Sequence, residues 1–470
     1  MDYKMTVGIE VHCELKTKEK IFSPSISSYG NMANSNVNVI DLGYPGSLPL
    51  LNKEVLAYAI RACKVLNLNI TRDMHFDRKN YFYADNPKNF QITQNETPIG
   101  TNGYVEIDIN GEKKKIEILE MHIEEDTCKS VHSEKTSLLD FNRAGVPLIE
   151  IVTKPCIHSD EEAVKYLGKL RELLLYADVS DCKIEEGSMR CEPNVSISKT
   201  DKLGTKVEVK NIGSISSVGE AIHYEVKRQT EILDRGEVLR EETRRFDDKT
   251  KTTILMRVKE TGNDYRYFPE PDIPYVHLTD EFIENSLKSL SRMPNERRKD
   301  YEKSGILPIN IEKIIANKDL SDYLEKFLDI NLVIASNLLL GDIASYLNKN
   351  NVKILETHLT DDKFRKLVGK LNDGTISNKI FKEILPDLME NDKDIDDILE
   401  EKGLNLVNDD TLIETLINKV FDENFDLVNQ YKNGNTRSAK ALMGLLMKEA
   451  KGKINPSIAN AKLIQKLDKK

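Results

Sequence analysis

The run Val7-Gly8-Ile9-Glu10-Val11-His12-Cys13-Glu14-Leu15 alternates strictly. As a strand it places Val7, Ile9, Val11, Cys13 and Leu15 on one face and Gly8, Glu10, His12 and Glu14 on the other. A fold that buries the apolar face must present two carboxylates and an imidazole on the opposite one, with same-face neighbours roughly 6.5–7 Å apart along the strand. Such a row suits a cation or a proton-transfer site. It equally suits an ordinary solvated strand face, because exposed glutamate is common.

The rest of the chain narrows the choice. Its 470 residues exceed what one hydrophobic core usually supports, so two or three domains are expected. No apolar run approaches the roughly eighteen residues needed to span a bilayer, which argues against a membrane protein. Met1-Asp2-Tyr3-Lys4-Met5 has the pattern of neither a signal nor a transit peptide, and the six cysteines form no C-x-x-C pair. The expectation is a cytoplasmic, reduced protein with single buried thiols and no structural zinc. A net charge of −10 argues against a surface that coats nucleic acid throughout, yet Lys432–Lys470 carries ten basic residues against two acidic ones. A basic appendage on an acidic body points to a partner.

The pattern of elements predicts an α+β chain. Residues 1–292 form a strand-rich body, with short alternating runs at 104–109, 115–123, 146–152 and 206–209 and helices at 53–66, 160–176 and 217–235. The proline-rich segment Tyr267–Pro274 reads as an extended crossing. Lys/Glu/Leu/Ile-rich helical texture then defines an all-helical domain, 293–404, including helices at 332–347 and 360–371, and a small helical tail domain, 405–470. In the tail helix at 436–451, Arg437, Lys440, Lys448 and Lys451 fall within one arc of roughly 80° opposite Ala439, Leu442, Met443, Leu445 and Leu446. That stripe, extended by Lys453, suits phosphate contact or is a solvated helix face.

Searching for familiar chemistry excludes several classes. There is no G-x-x-x-x-G-K-[ST], no strand-embedded G-x-G-x-x-G, no kinase signature, no G-x-S-x-G elbow and no amidase-type serine loop. Ammonia, where it is needed, must come from elsewhere. What the chain offers instead is acid in apolar surroundings. Glu150 interrupts Val146-Pro147-Leu148-Ile149-Glu150-Ile151-Val152, and Glu124, Glu125 and Asp126 end the run Met121-His122-Ile123-Glu124-Glu125-Asp126. Glu10, His12, Glu125 and Glu150 give an oxygen-rich set with one imidazole, suited to Mg²⁺ or Mn²⁺. The alternative is separate surface patches and a structural ion pair. Arg78, Lys79, Tyr81 and Tyr83 interleave charge with aromatics, as a site for a single-stranded acceptor end does, or as a packed loop does.

Six blocks then carry a resemblance: Val7–His12, Tyr44-Pro45-Gly46-Ser47-Leu48-Pro49, Phe76–Tyr83, Pro147–Glu150, Glu185–Cys191 and Tyr265–Asp272, with Gly444, Lys448, Gly452, Lys453 and Pro456 in the tail. In this order they resemble the B subunits of the tRNA-dependent amidotransferases (GatB), over nearly the whole chain. The resemblance implies a cradle-shaped catalytic domain, a helical domain and a tail that grips tRNA. The implied activity is ATP-dependent phosphorylation of the side-chain carboxylate of Glu on tRNA(Gln) or Asp on tRNA(Asn), followed by displacement of phosphate by ammonia. It implies Mg²⁺, with Mn²⁺ able to substitute, and a heterotrimer with an amidase A subunit and a small C subunit. His12, Glu125 and Glu150 match the metal ligands, Glu10 and Glu124 line the same pocket, and Arg190 and Asn194 fall in a nucleotide- or substrate-binding block. Two departures stand out. The positions of a four-cysteine zinc site are here Ser23, Ser25, Asn38 and Asp41, and Glu192 stands where the family more often has Asp. The rival readings are a non-catalytic tRNA-binding scaffold and a metal-dependent RNA-processing enzyme.

Overall fold

In a computed structural model of the chain, residues 3–132, 135–258, 265–404, 410–450 and 454–469 are described. The chain is α+β and divides into two compact units, Met1–Pro294 and Asn295–Lys470. The first is built on a nine-stranded sheet. Its strands run in the order Thr252–Val258, Glu242–Asp247, Val207–Lys210, Met189–Ser198, Lys4–Glu14, Pro147–Thr153, Glu112–Glu125, Gly100–Ile109 and Asn69–Ile70. Adjacent strands are antiparallel except Val207–Lys210 and Glu242–Asp247, which run parallel. The alternating run of the N-terminus thus becomes the central strand.

Burial follows the alternation. Val7, Ile9, Val11, Cys13 and Leu15 are each at most 1% exposed, while the intervening residues are partly open. The apolar face shares one core with Ile149 and Ile151, with Met121 and Ile123, and with the helices Lys53–Val65, Asp160–Tyr176 and Ile215–Asp234. Each helix starts where a side chain accepts from a free backbone N–H: Asn52 from Glu54, Ser159 from Glu162, and Ser214 from Ser217. The third helix therefore begins two residues before the expected Ser217. With helices on one side, the sheet's other face is left for chemistry.

A three-stranded sheet stands beside it, formed by Phe268–Pro269, Asp77–Asn80 and Phe90–Thr93. The proline-rich crossing thus supplies a short strand that pairs Phe268 with Arg78. All six cysteines are unpaired.

The second unit is helical. The helix expected at 332–347 is instead two, Leu332–Leu338 and Ala344–Asn350, joined by a wide π turn at Leu339–Ile343. The break sits at Gly341, whose φ of −100° and ψ of −108° leave helical space, a conformation that glycine adopts most cheaply. The expected boundary at 404/405 borders residues 405–409, which lie outside the described ones. From Asp410 onward Ile413, Ile417, Phe421, Leu442, Leu446 and Leu463 form a core of their own. Among the described residues no helix is long and apolar enough to cross a membrane.

The two faces of the central strand should answer differently to substitution. Ile9→Ala is expected to lower the unfolding free energy by about 2–5 kcal/mol through the cavity it leaves. Glu10→Gln, one residue further, should change it by less than about 1 kcal/mol. Urea denaturation followed by circular dichroism measures both, and equal losses would contradict the assigned faces.

Candidate functional site

Strand register assembles the site. His12 lies opposite Glu150 on one neighbouring strand and Arg190 on the other, and Glu150 lies opposite His122 on the strand beyond. Residues directly opposed in this way share a face, so Glu10 and His12, Glu150, His122 and Glu124, and Arg190, Glu192 and Asn194 all project from the side away from the helices. His12 Nε2 stands 3.3 Å from Glu124 Oε1 and 3.6 Å from Glu150 Oε1. One ligand atom from each of the three lies within 4.8 Å of the others. Thr93 Oγ1 donates to the second Glu124 oxygen at 3.3 Å, holding that carboxylate in place.

The electrostatics are those of a crowded acid pair with a proton between. Burial alone would depress the His12 pKa, but the hydrogen bond to Glu124 and the charges of Glu150 and Glu124 outweigh it and raise the pKa to about 9. Burial pushes Glu150 up, and the Glu124 charge adds to the effect. Burial would do the same to Glu124, but its bond to His12 draws it down to about 2. Lys79 adds a further local cation. Burial opposes its charge, yet Glu124 and Glu150 hold its pKa above the ordinary value. Its ammonium also lies 5.1 Å from the centre of the Tyr265 ring.

Glu125 does not join this cluster. The alternation Met121-His122-Ile123-Glu124-Glu125 puts Met121 and Ile123 in the core and His122 and Glu124 on the site face, so Glu125 turns away. Its carboxylate accepts from Lys88 Nζ and, at 2.8 Å, from the Ile92 amide. Glu124 occupies the place expected of Glu125. Parity separates Arg78 from Lys79 in the same way. Arg78 is clamped by Glu270 at 2.6 and 2.8 Å, reaches Asp272 at 3.2 Å, and stacks 4.2 Å from the Phe90 ring. Lys79 instead lines a pocket of about 760 Å³ with Tyr81, Tyr83, Lys210, Arg257 and Tyr265. Tyr83 is 64% and Phe82 70% exposed at its rim.

Arg190 donates two bonds to Asp126, at 3.3 and 2.8 Å. Asn194 Nδ2 donates to Glu10 Oε1 at 3.0 Å. Glu10 thereby belongs to a second trio, with Glu192 and Glu208. Glu208 and Lys210 alternate on the short strand Val207–Lys210 as Glu10 and His12 do on theirs, a signal present in the sequence but passed over in so short a run. Glu14, third in the first row, faces a separate cavity with Lys16, Arg143 and Glu186. Burial and the nearby Asp126 push its pKa up to about 7.

The four positions Ser23, Ser25, Asn38 and Asp41 do converge. Asp41 accepts from Ser23 and Ser25 Oγ, each at 2.6 Å, from the Asn38 amide at 3.0 Å and from the buried Lys20 ammonium at 3.2 Å. None of the four is a thiol or imidazole.

In the second unit Arg437, Lys440 and Lys448 are exposed on the helix Arg437–Glu449, whose buried side is Ser438, Ala439, Leu442 and Leu446. Lys451 and Lys453 lie outside the described residues.

Residues 5–284 match the GatB/GatE catalytic domain and residues 322–467 the GatB domain. The chain belongs to the GatB family. It is 44% identical over 476 residues to the B subunit of the aspartyl/glutamyl-tRNA(Asn/Gln) amidotransferase of Staphylococcus saprophyticus, covering all of both chains. The proteins of the same name from Geobacillus thermodenitrificans and Staphylococcus carnosus are equally similar, at 44% over 476 residues and full coverage.

For His12 the sign of the pH effect is fixed. Its folded pKa of about 9 exceeds the ordinary 6.5, so its contribution is complete below pH 6.5 and is lost as pH rises through 9. In metal-free protein, NMR should place the His12 midpoint near 9, and Glu124→Gln should lower it by about one unit or more. An unchanged midpoint would show that the hydrogen bond to Glu124 is not what holds the proton.

Proposed function

We propose that this chain is the carboxylate-activating subunit of a tRNA-dependent amidotransferase, acting on Glu carried by tRNA(Gln), Asp carried by tRNA(Asn), or both. The observation that carries the reading is the His12–Glu124–Glu150 cluster beside Lys79 and the aromatic pocket, in a chain similar along its whole length to proteins named for that reaction. A carboxylate is a poor electrophile with a poor leaving group, so direct attack by ammonia fails. In the first step a side-chain carboxylate oxygen takes the γ-phosphoryl group of ATP, giving an acyl phosphate and ADP. In the second, ammonia attacks the carbonyl carbon, the C–O bond to phosphate breaks, and the proton lost by nitrogen passes to the departing phosphate, giving the amide and inorganic phosphate.

One imidazole and two carboxylates fit a hard divalent ion, so His12, Glu124 and Glu150 would hold Mg²⁺, or Mn²⁺ in its place. Bound there, such an ion would supply positive charge to offset that of the transferred phosphoryl group. We assign no zinc to the Asp41 loop, whose donors are oxygen and nitrogen without a thiolate. The chain's own groups do the rest. Lys79 presents a fixed positive charge next to the acids, where a transferred phosphoryl group needs one. Tyr81, Tyr83 and Tyr265 offer ring faces to an unpaired acceptor-end base. Arg190, oriented by Asp126, is held at a fixed place along the same groove. No nucleophile–base pair for releasing ammonia was found in the sequence, so the reading requires an amidase A subunit, with a small C subunit completing the heterotrimer.

Glu124→Gln is expected to abolish Mn²⁺ binding near His12 and, with ammonium supplied, ATP-dependent conversion of glutamyl-tRNA(Gln). Glu125→Gln should leave Mn²⁺ binding intact. Full amidation by a His12→Ala, Glu150→Ala double variant would refute the enzyme and leave a tRNA-binding scaffold. Removal of the chain after Gly403 should weaken tRNA affinity and flatten its salt dependence while sparing tRNA-independent ATP turnover, as expected if Arg437, Lys440 and Lys448 neutralise phosphates.

A further inference from the structure

Two of the six cysteines are not the single thiols expected from their spacing. Cys13 and Cys182 meet in the core with their sulfur atoms 3.7 Å apart, one thiol donating to the other. Both are fully buried. Cys13 lies on the core face of the central strand Lys4–Glu14, between His12 and Glu14, which project from the other face. Cys182 belongs to the loop that joins the helix Asp160–Tyr176 to the strand Met189–Ser198. That loop is clamped in place. Arg171 Nε donates to the Cys182 carbonyl at 3.0 Å, and the Cys182 amide donates to Ser180 Oγ at 3.1 Å. Cys182 itself holds a φ of +46°, in the left-handed region that side chains adopt at a cost. Two backbone bonds already fasten the loop to the end of the central strand. The Glu14 amide donates to the Ser188 carbonyl at 2.8 Å, and the Lys16 amide to the Val179 carbonyl at 3.0 Å.

We propose that Cys13 and Cys182 are a redox-active pair that a small-molecule disulfide converts into an internal disulfide, and that this bond slows the reaction on the other face of the strand. The second half rests on the carboxylate-activating reading above. Cys13 is enclosed by its partners Ile149 and Met189 on the neighbouring strands, whereas Cys182 follows the exposed Asp181. Local opening of the loop therefore presents Cys182 first. The Cys182 thiolate attacks one sulfur of the incoming disulfide, whose S–S bond breaks, and the first small thiol leaves with the Cys182 proton. The Cys13 thiolate then attacks the Cys182 sulfur of the mixed disulfide, and the second small thiol leaves with the Cys13 proton. Two protein thiols are oxidised and one small disulfide is reduced to two thiols. A disulfide holds its sulfurs about 2.05 Å apart, so the pair closes by about 1.7 Å. With the loop clamped at Cys182, the strand takes a share of that movement at Cys13. Its neighbour His12 is set 3.3 Å from Glu124, and a displacement of about 1 Å in such a site costs up to 10²-fold in rate.

Treating the full chain with oxidised glutathione, then alkylating it and mapping its peptides by mass spectrometry, tests the bond. A peptide carrying Cys13 should be linked to one carrying Cys182, and dithiothreitol should separate them. Cys13→Ala should leave glutathione held on Cys182, and Cys182→Ala should leave Cys13 unmodified. With ammonium supplied, oxidation should slow amidation of glutamyl-tRNA(Gln) by the wild type about tenfold, reversibly, and leave Cys182→Ala unaffected. Absence of the Cys13–Cys182 link in the wild type overturns the proposal, and that result needs neither variant to fold. A linked protein that amidates as fast as the reduced one overturns the coupling to the site. A reduced wild type that does not amidate overturns the carboxylate-activating reading instead, while the mapped bond still supports the pair as redox-active.

Discussion

The pleat of the central strand is the constraint on which the rest of the structure depends. Val7, Ile9, Val11, Cys13 and Leu15 are buried almost completely, and a slip of one residue would exchange that face for Gly8, Glu10, His12 and Glu14. Exchanging five apolar side chains for a row that includes two carboxylates and an imidazole is ruled out by the cost of desolvating the charges. The register of the strand is therefore set by its core face, and the site face inherits it. His12 meets Glu150 and Arg190 because Val11 meets Ile151 and Cys191 one residue earlier.

Gathering acids on one face creates a second constraint, that of compensating them. The carboxylates of the site are matched by cations: Glu124 and Glu150 by His12 and Lys79, Glu192 and Glu208 by Lys210, Asp126 by Arg190, and Glu125 by Lys88. Glu150 is the least well matched, which is why burial and Glu124 together raise its pKa while Glu124 is drawn down. Two neighbouring acids pushed apart in this way hold a proton on the imidazole between them. A divalent ion at the same place must displace that proton, so metal affinity and pH are linked through His12.

Much of this was legible in the sequence because strand alternation and helix capping are local. The helix Asp160–Tyr176 and the faces of Glu10, His12 and Glu150 follow from spacing alone. What failed was the choice among consecutive acids. The run Met121-His122-Ile123-Glu124 already alternates, and continuing it puts Glu124 with His122; the ligand set drawn from the three consecutive acids took Glu125 instead, and the family resemblance repeated that choice. Arg78 and Lys79 pose the same difficulty, and only the pairing with Phe268 and the Glu270 clamp decides it. Lateral neighbours were beyond reach for another reason. Nothing near Glu10 in the chain announces Glu192 or Glu208, since that contact exists only once distant strands are in register.

That distance explains why no phosphate loop was needed and none was found. A glycine-rich loop before a helix places its N–H donors locally, within one turn of chain. Here the charges are carried by side chains on strands of one sheet, from Glu150 through His12, Glu192 and Lys210 to Arg257, with the Glu10–Asn194 bond spanning 184 residues of sequence. Contacts of such separation form late, because loop-closure entropy must be overcome before they contribute. The strand register that brings the acids together brings Arg190 and Lys210 with them. A chain that assembled the acids first would meet their repulsion without the compensating charge; pairing strands that carry both signs avoids that order of events.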